Sequence, residues 1–192
     1  MKFGHRRSIR LKGYDYSMGG YYFVTICTLG RKMMFGEIVG FGENVGARRD
    51  APFNNKTEMV LNENGKIVFD VWKTLPEHHD VILDEICIMP NHVHLILVIK
   101  NNNQGALENN NQGASRRAPT LGWMVGMFKT ECTKQINKLN KTPGVQLFQR
   151  NYYERIIRNE KKYFKIKNYI KMNPKMWPGD RNNLNFKLKI EN

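Results

Sequence analysis

Residues 89–99 read MPNHVHLILVI and place two histidines inside an apolar run. A run of this length predicts one buried strand, in which successive side chains point to opposite faces of the sheet. His92 and His94 therefore share one face, and Val93 points to the other. Either the two imidazoles are core groups satisfied by hydrogen bonds, or they form a pair of metal ligands. Because two polar rings interrupt an apolar run, we favour the ligand pair.

The elements on either side of this strand predict the fold class. Residues 21–28 and 32–39 indicate a hairpin that turns at Gly30 and Arg31. Apolar spacing predicts helices over residues 61–75, 121–139 and 160–172, with Pro76 and Pro174 following two of them. Residues 81–89, 93–100 and 147–157 are expected to be extended. This order is typical of the α+β class, with a ferredoxin-like split β-α-β fold: an antiparallel sheet with helices packed on one face.

Length and charge limit the classes of function that the chain can have. The 192 residues are most simply one domain, 1–192, and 31 Lys and Arg against 17 acidic residues give a net charge of +14. Such a surplus indicates a polyanionic partner, either a nucleic acid or an anionic membrane surface. The sequence has no long apolar span and no signal-peptide core, and its three separated cysteines are expected to be reduced. We therefore expect a cytoplasmic protein with no membrane partner.

Several segments are expected to lie outside the packed core. The N-terminus forms a basic arm with Arg6, Arg7 and Arg10, and the C-terminus forms a basic tail. Polar insertions are expected near 42–56 and 101–119, the second of which contains NNNQGA twice. These two insertions are either basic loops that contact phosphates or neutral additions at tolerant loop tips.

The helix over residues 160–172 offers a second set of polar groups. Tyr169 and Asn173 are four residues apart and so lie on one helical face. If that face packs over His92 and His94, a phenol and an amide oxygen reach a metal ion together. Alternatively, Tyr169 is a core residue and Asn173 caps the helix before Pro174. A divalent ion such as Mg²⁺ or Mn²⁺ fits a mixed set of imidazole and oxygen ligands.

Four motifs, in this order, resemble one known family. They are residues 6–16 with 21–25, residues 89–94, the block FQRNYYERIIRNE at 148–160, and YIKMNP at 169–174. The chain resembles the HUH single-tyrosine transposases, and most closely the REP-associated tyrosine transposases of bacteria. The resemblance implies that His92 and His94 are metal ligands and that Tyr169 is the nucleophile. Many insertion-sequence relatives have Gln four residues after the tyrosine, where this chain has Asn173, so its role as a ligand is an expectation.

Three functions follow, and the first is favoured. The resemblance implies a metal-dependent single-stranded DNA endonuclease and strand transferase that forms a 5′-phosphotyrosine intermediate at hairpins or imperfect palindromes. A non-catalytic module that binds single-stranded or hairpin nucleic acid is the second reading, and a hydrolytic metalloenzyme is the third. A monomer or homodimer in the bacterial cytoplasm, on the nucleoid when DNA is bound, is expected. The expected DNA-binding residues are Arg6, Arg7, Arg10, Arg150, Arg155 and Arg158, although Arg155 and Arg158 can also be plain surface charges.

Overall fold

The computed structural model describes residues 19–40, 57–100 and 120–184. The basic arm with Arg6, Arg7 and Arg10, both predicted insertions, and residues 185–192 of the C-terminal tail lie outside the described residues. Within the described ranges the chain forms six strands and three α-helices. They are β1 (Gly20–Cys27), β2 (Gly36–Val39), β3 (Glu58–Leu61), α1 (Glu63–His78), β4 (Val81–Met89), β5 (His92–Ile99), α2 (Leu121–Asn140), β6 (Tyr153–Ile157) and α3 (Glu160–Met176).

Four of these strands form the main sheet in the order β4-β5-β1-β6, with every neighbouring pair antiparallel. The predicted α+β class with an antiparallel sheet is thereby confirmed. The predicted hairpin between residues 21–28 and 32–39 is wrong, because β1 pairs with β5 and β6, whereas β2 pairs with β3 in a separate two-stranded sheet. A 3-10 turn at Leu29–Arg31, with Gly30 at a φ of 64°, leads the chain away from β1.

The main sheet is covered on both faces. On one face Val24, Leu95 and Leu97 pack against α1 and α2 in the larger core. On the other face Ile170 of α3 packs against Phe23 and Ile96. The expectation of helices on one face therefore holds for α1 and α2, while α3 lies on the opposite face. The physical reason is that β5 is buried on both faces beyond His94, so each face needs an apolar cover.

Helix α3 continues beyond its predicted end. Residues 160–172 were expected to be helical, but the helix runs through Pro174 to Met176. A proline this close to a C-terminus interrupts only the hydrogen bonding of the last turn. Asn173 is therefore an interior helical residue and does not cap the helix. In the part of the chain that the structure describes, no helix combines the length and apolarity needed to span a membrane.

Candidate active site

The two histidines of β5 lie side by side on the face that α3 covers. Both are buried, and the distance between their Nε2 atoms is 3.0 Å. Asn91 fixes the ring of His92: its amide nitrogen donates to the carbonyl oxygens of Arg31 and Asn182, so its Oδ1 accepts from His92 Nδ1 at 2.8 Å. This hydrogen bond leaves the lone pair of His92 at Nε2. Thr25 Oγ1 lies 2.8 Å from His94 Nδ1, and the Nε2 atom of His94 likewise faces the site.

Burial keeps both imidazoles neutral. It lowers the pKa of His92 to about 4, although the negative charge of Asp180 opposes this shift. The pKa of His94 is also lowered well below its usual value, chiefly by burial and then by the charge of His92. Near neutral pH the two rings are therefore unprotonated, which is the form that binds a metal ion.

A carboxylate that the sequence motifs did not indicate completes this cluster. Asp180 Oδ2 lies 4.0 Å from His92 Nε2, and the ligating atoms of His92, His94 and Asp180 all lie within 4.8 Å of one another. Asp180 follows the short 3-10 helix Trp177–Gly179, which folds the chain back after α3. Asp180 lies beyond the end of α3, so helical spacing cannot relate it to Tyr169, and the only sequence signal was an acidic residue after Pro178-Gly179 in a basic tail.

Asn173 contributes a buried amide to the same place. The side chain is 1% exposed, and neither amide atom has a hydrogen-bond partner among the described residues. It nevertheless lies near enough to affect the pKa of both His92 and Tyr169, for which burial is the larger cause. Because an unsatisfied buried amide is unfavourable, an ion here would give its oxygen a partner. Two imidazole nitrogens, a carboxylate and an amide oxygen therefore fit a divalent metal ion.

Tyr169 extends from α3 to this cluster. Its hydroxyl lies 3.4 Å from His94 Nε2, and its ring packs edge-on against Phe23 with centroids 6.0 Å apart. The residue is 44% exposed, so its side chain is open to solvent on one side. Burial raises the pKa of Tyr169, whereas the charge of Arg181 acts in the opposite direction. The phenol is therefore protonated near neutral pH, and its use as a nucleophile would require stabilisation by positive charge.

Ion pairs between α3 and β4 fix the rotation of the helix. Lys167 Nζ lies 2.6 Å from Asp84 Oδ1 and 3.7 Å from Glu85 Oε2, and Lys171 Nζ lies 3.6 Å from Glu85 Oε2. The two acids lie where the β4–β5 register shifts between Leu83 and Ile86. Lys167 and Lys171 thus hold one side of α3 against β4 while Tyr169 faces the histidines.

The structure separates the expected DNA-binding arginines. Arg150, Arg155 and Arg158 are all exposed, but only Arg155 is shown by its register opposite Phe23 to share the sheet face of His94. Arg158 follows the end of β6 that pairs with Tyr21, at the far end of the strand from the site. Two other arginines, Arg31 and Arg181, lie close enough to lower the pKa of His92, and the sequence motifs did not indicate either.

The fold and site together define an α+β protein in which a half-exposed tyrosine faces a buried His-x-His pair. No protein-family model matches the chain. An uncharacterized protein of Haemophilus influenzae is 36% identical over 184 residues, covering 92% of this chain and 92% of that protein. The chain belongs to the same family as this protein.

A second Haemophilus influenzae protein, provisionally named a REP-associated tyrosine transposase, is 24% identical over 164 residues, covering 83% of this chain and 73% of that protein. The resemblance predicted from the motifs is thereby confirmed. Two solved structures are also similar. A REP-associated tyrosine transposase bound to a REP hairpin has a TM-score of 0.46 and 15% identity, over 86% of this chain and 72% of that one. A provisionally assigned transposase of Deinococcus radiodurans has a TM-score of 0.40 and 17% identity, over 84% and 95%.

Proposed function

We propose that the chain is a transposase that cuts and rejoins single-stranded DNA through a 5′-phosphotyrosine link at Tyr169. The observation that carries this proposal is the 3.4 Å distance between the Tyr169 hydroxyl and His94 Nε2, beside the cluster of His92, His94 and Asp180. The assigned name of the more distant Haemophilus relative supports the same reading.

The proposed cofactor is Mg²⁺ or Mn²⁺, held by His92, His94 and Asp180 with Asn173 as a further ligand. A bound divalent ion supplies Lewis-acid polarisation of the scissile phosphodiester. The positive charges of Arg31 and Arg181 favour the approach of the phosphate to the same place. Phe23, which packs against both Tyr169 and His94, keeps the phenol beside the imidazole.

Each step of the proposed reaction exchanges one ester bond for another. The Tyr169 oxygen forms a bond to phosphorus while the bond from phosphorus to the 3′-oxygen breaks, giving a 5′-phosphotyrosine and a free 3′-hydroxyl. The phenol proton leaves to water, to which Tyr169 is open, and the leaving 3′-oxygen gains a proton. Because the phosphotyrosine retains the energy of the original ester, the 3′-hydroxyl of another strand can displace Tyr169 without ATP.

The proposed substrate is single-stranded DNA with a hairpin or imperfect palindrome. The segment from residue 150 to 192 holds 12 basic and 4 acidic residues, interleaved with aromatic ones, a pattern that favours phosphate contacts and base stacking. We propose that a monomer or homodimer acts in the bacterial cytoplasm, on the nucleoid when bound to DNA.

The decisive experiment is covalent capture. The protein is incubated with Mn²⁺ and a library of hairpin-bearing single strands, and captured DNA is mapped after denaturing electrophoresis. A DNA adduct on the wild-type protein, with a free 3′-hydroxyl on the released strand, is the expected result. Binding without cleavage would instead identify a non-catalytic nucleic-acid-binding module, and metal-dependent cleavage without an adduct would identify a hydrolytic enzyme.

Salt is expected to weaken DNA binding steeply. Each phosphate that the protein neutralises releases counterions, so raising NaCl from about 50 to 200 mM should lower affinity at least roughly tenfold for about three contacts. Fluorescence anisotropy with a labelled single strand, repeated at several NaCl concentrations, measures how affinity falls with salt. An affinity that stays flat over this range would mean that the +14 charge does not serve DNA binding.

Replacing Asp180 with Asn is expected to weaken metal binding. The substitution keeps the size of the side chain but removes a charge from the His92–His94–Asp180 cluster, and we expect roughly a tenfold or larger loss of Mn²⁺ affinity. Calorimetric titration with MnCl₂ measures it. Asp70→Asn, on the exposed face of α1, is the matched control. Equal Mn²⁺ affinities of the two variants would show that Asp180 does not bind the metal ion.

A further inference from the structure

The edge strand β6 presents two side chains toward the proposed active site. Thr25 of β1 pairs with His94 on one side and with Tyr153 on the other, so these three residues lie in one row across the sheet. In the next row Phe23 pairs with Arg155. Since neighbouring strands are about 4.8 Å apart, the Tyr153 backbone lies roughly 10 Å from that of His94 on the same face.

Aromatic contacts link Tyr153 to the nucleophile candidate. The buried ring of Phe23 lies 6.2 Å from the Tyr153 ring and 6.0 Å from the Tyr169 ring, measured between centroids. Both tyrosines are open to solvent, at 47% and 44% exposure. Phe23 thus separates two accessible phenol rings, one beside the histidines and one at the edge of the sheet.

Arg155 adds a positive charge to this edge. It is exposed, and it makes no hydrogen bond or ion pair with any residue that the structure describes. Helix α3 is held against β4, at the opposite edge of the sheet, by Lys167 and Lys171. An exposed aromatic ring and an exposed cation on one face have the chemistry that single-stranded nucleic acid requires: a stacking surface and a phosphate contact.

We propose that Tyr153 and Arg155 form a subsite for the nucleotide next to the scissile phosphate, with the base stacked on Tyr153 and the phosphate held by Arg155. The identity of the scissile phosphate rests on the proposed function, whereas the stacking surface does not. The occupant is a single-stranded segment because bases inside a duplex are stacked on both faces by their neighbours, whereas an unpaired base can offer a face to Tyr153. The net charge of +14 also favours a polyanion over a protein strand at this edge.

The test measures binding of a fluorescein-labelled oligodeoxythymidylate of about 15 nucleotides with one central 2-aminopurine. Tyr153→Ala is expected to weaken binding roughly tenfold and to abolish the fluorescence change of 2-aminopurine caused by stacking. Tyr153→Phe retains the ring and should restore both signals. Arg155→Gln should weaken binding and reduce the salt slope by about 0.7, the contribution of one phosphate to a single strand.

Tyr21→Ala is the matched control. Tyr21 is 46% exposed and lies on the same face of β1, but four residues from Thr25, or about 13 Å along the strand. Its removal should leave oligonucleotide binding unchanged. Circular dichroism and thermal melting of each variant show whether the fold is retained, which is expected because these side chains are exposed.

The outcomes separate the subsite from the proposed chemistry. If wild-type protein forms a DNA adduct but Tyr153→Ala binds the oligonucleotide as Tyr21→Ala does, the subsite is wrong and the transposase proposal stands. If wild-type protein forms no adduct but Tyr153→Ala loses binding, the chemistry is wrong and the stacking subsite stands. Failure of the wild-type protein to bind the oligonucleotide overturns the subsite and would point to another occupant at this edge.

Discussion

Tyr169→Phe is expected to fold and bind hairpin DNA like the wild-type protein but to form no covalent adduct. The substitution removes only the hydroxyl, which lies 3.4 Å from His94 Nε2. The ring contact with Phe23 remains, so the loss of stability should be no more than about 1 kcal/mol. Without the attacking oxygen, adduct formation should fall at least about 10³-fold. Denaturing electrophoresis of protein and labelled DNA measures it.

Tyr163→Phe provides the control for this experiment. Tyr163 lies on the same helix, but its hydroxyl is 3.0 Å from Lys167 Nζ and its ring contacts Tyr21. This variant should form adduct at nearly the wild-type rate. If the Tyr169 variant still reacted and the Tyr163 variant did not, Tyr163 would be the nucleophile and the assignment from the motif would be wrong.

The alternation of residues 89–99 was sufficient to predict the environment of the histidine pair. Val93, Leu95 and Leu97 pack in the larger core, while His92 and His94 lie on the face covered by α3, as the period of a strand requires. The four-residue spacing of Tyr169 and Asn173 predicted only that they share a helical face, and the structure shows that this face lies toward the pair. Local periodicity is a reliable guide here because each group is positioned by its own strand or helix.

Strand pairing was less accessible from the sequence. The segments 21–28 and 32–39 are neighbours in the chain, which favoured a hairpin, yet β1 is the central strand between β5 and β6. Nothing local distinguishes the two pairings, because the partners of β1 are more than 60 residues away and the preference depends on burying Tyr22, Val24 and Ile26. The position of α3 on the opposite face also depends on tertiary packing, through Ile96 and Ile170.

The position of Asp180 in the candidate site could not be predicted from the sequence. Two histidines in one strand or two polar residues in one helix follow a period, but Asp180 reaches the cluster only because Trp177–Gly179 folds back over the end of α3. Trp177 supports that return, since its buried ring lies 6.0 Å from the ring of His92. A residue placed by such a turn has no fixed spacing from the histidines, so its position in the cluster follows from the tertiary fold and not from a local sequence pattern.

Replacing His92 or His94 with Ala is expected to abolish metal-dependent cleavage while most DNA affinity remains. Each ring supplies one Nε2 atom to the cluster, and no other imidazole among the described residues belongs to it. Cleavage should fall below about one hundredth of the wild-type rate. Adding Mn²⁺ after EDTA treatment should restore cleavage by the wild-type protein but not by either variant. DNA binding should persist because the Lys and Arg residues available for phosphate contacts are spread over the chain.

Loss of a buried ring can also disturb the fold, so these variants need a control for packing. His94 stacks on Phe23 with centroids 5.4 Å apart, and truncating it leaves a cavity beside Tyr169. Cys87→Ala removes a side chain from the same face, directly across β4 and β5 from His94, without removing a member of the cluster. We expect this control to retain cleavage and Mn²⁺ affinity. Cleavage by either histidine variant at the wild-type rate in Mg²⁺ or Mn²⁺ would show that the pair does not hold the catalytic metal. Loss of both cleavage and Mn²⁺ binding, with an unchanged melting profile, would assign both rings to the metal site.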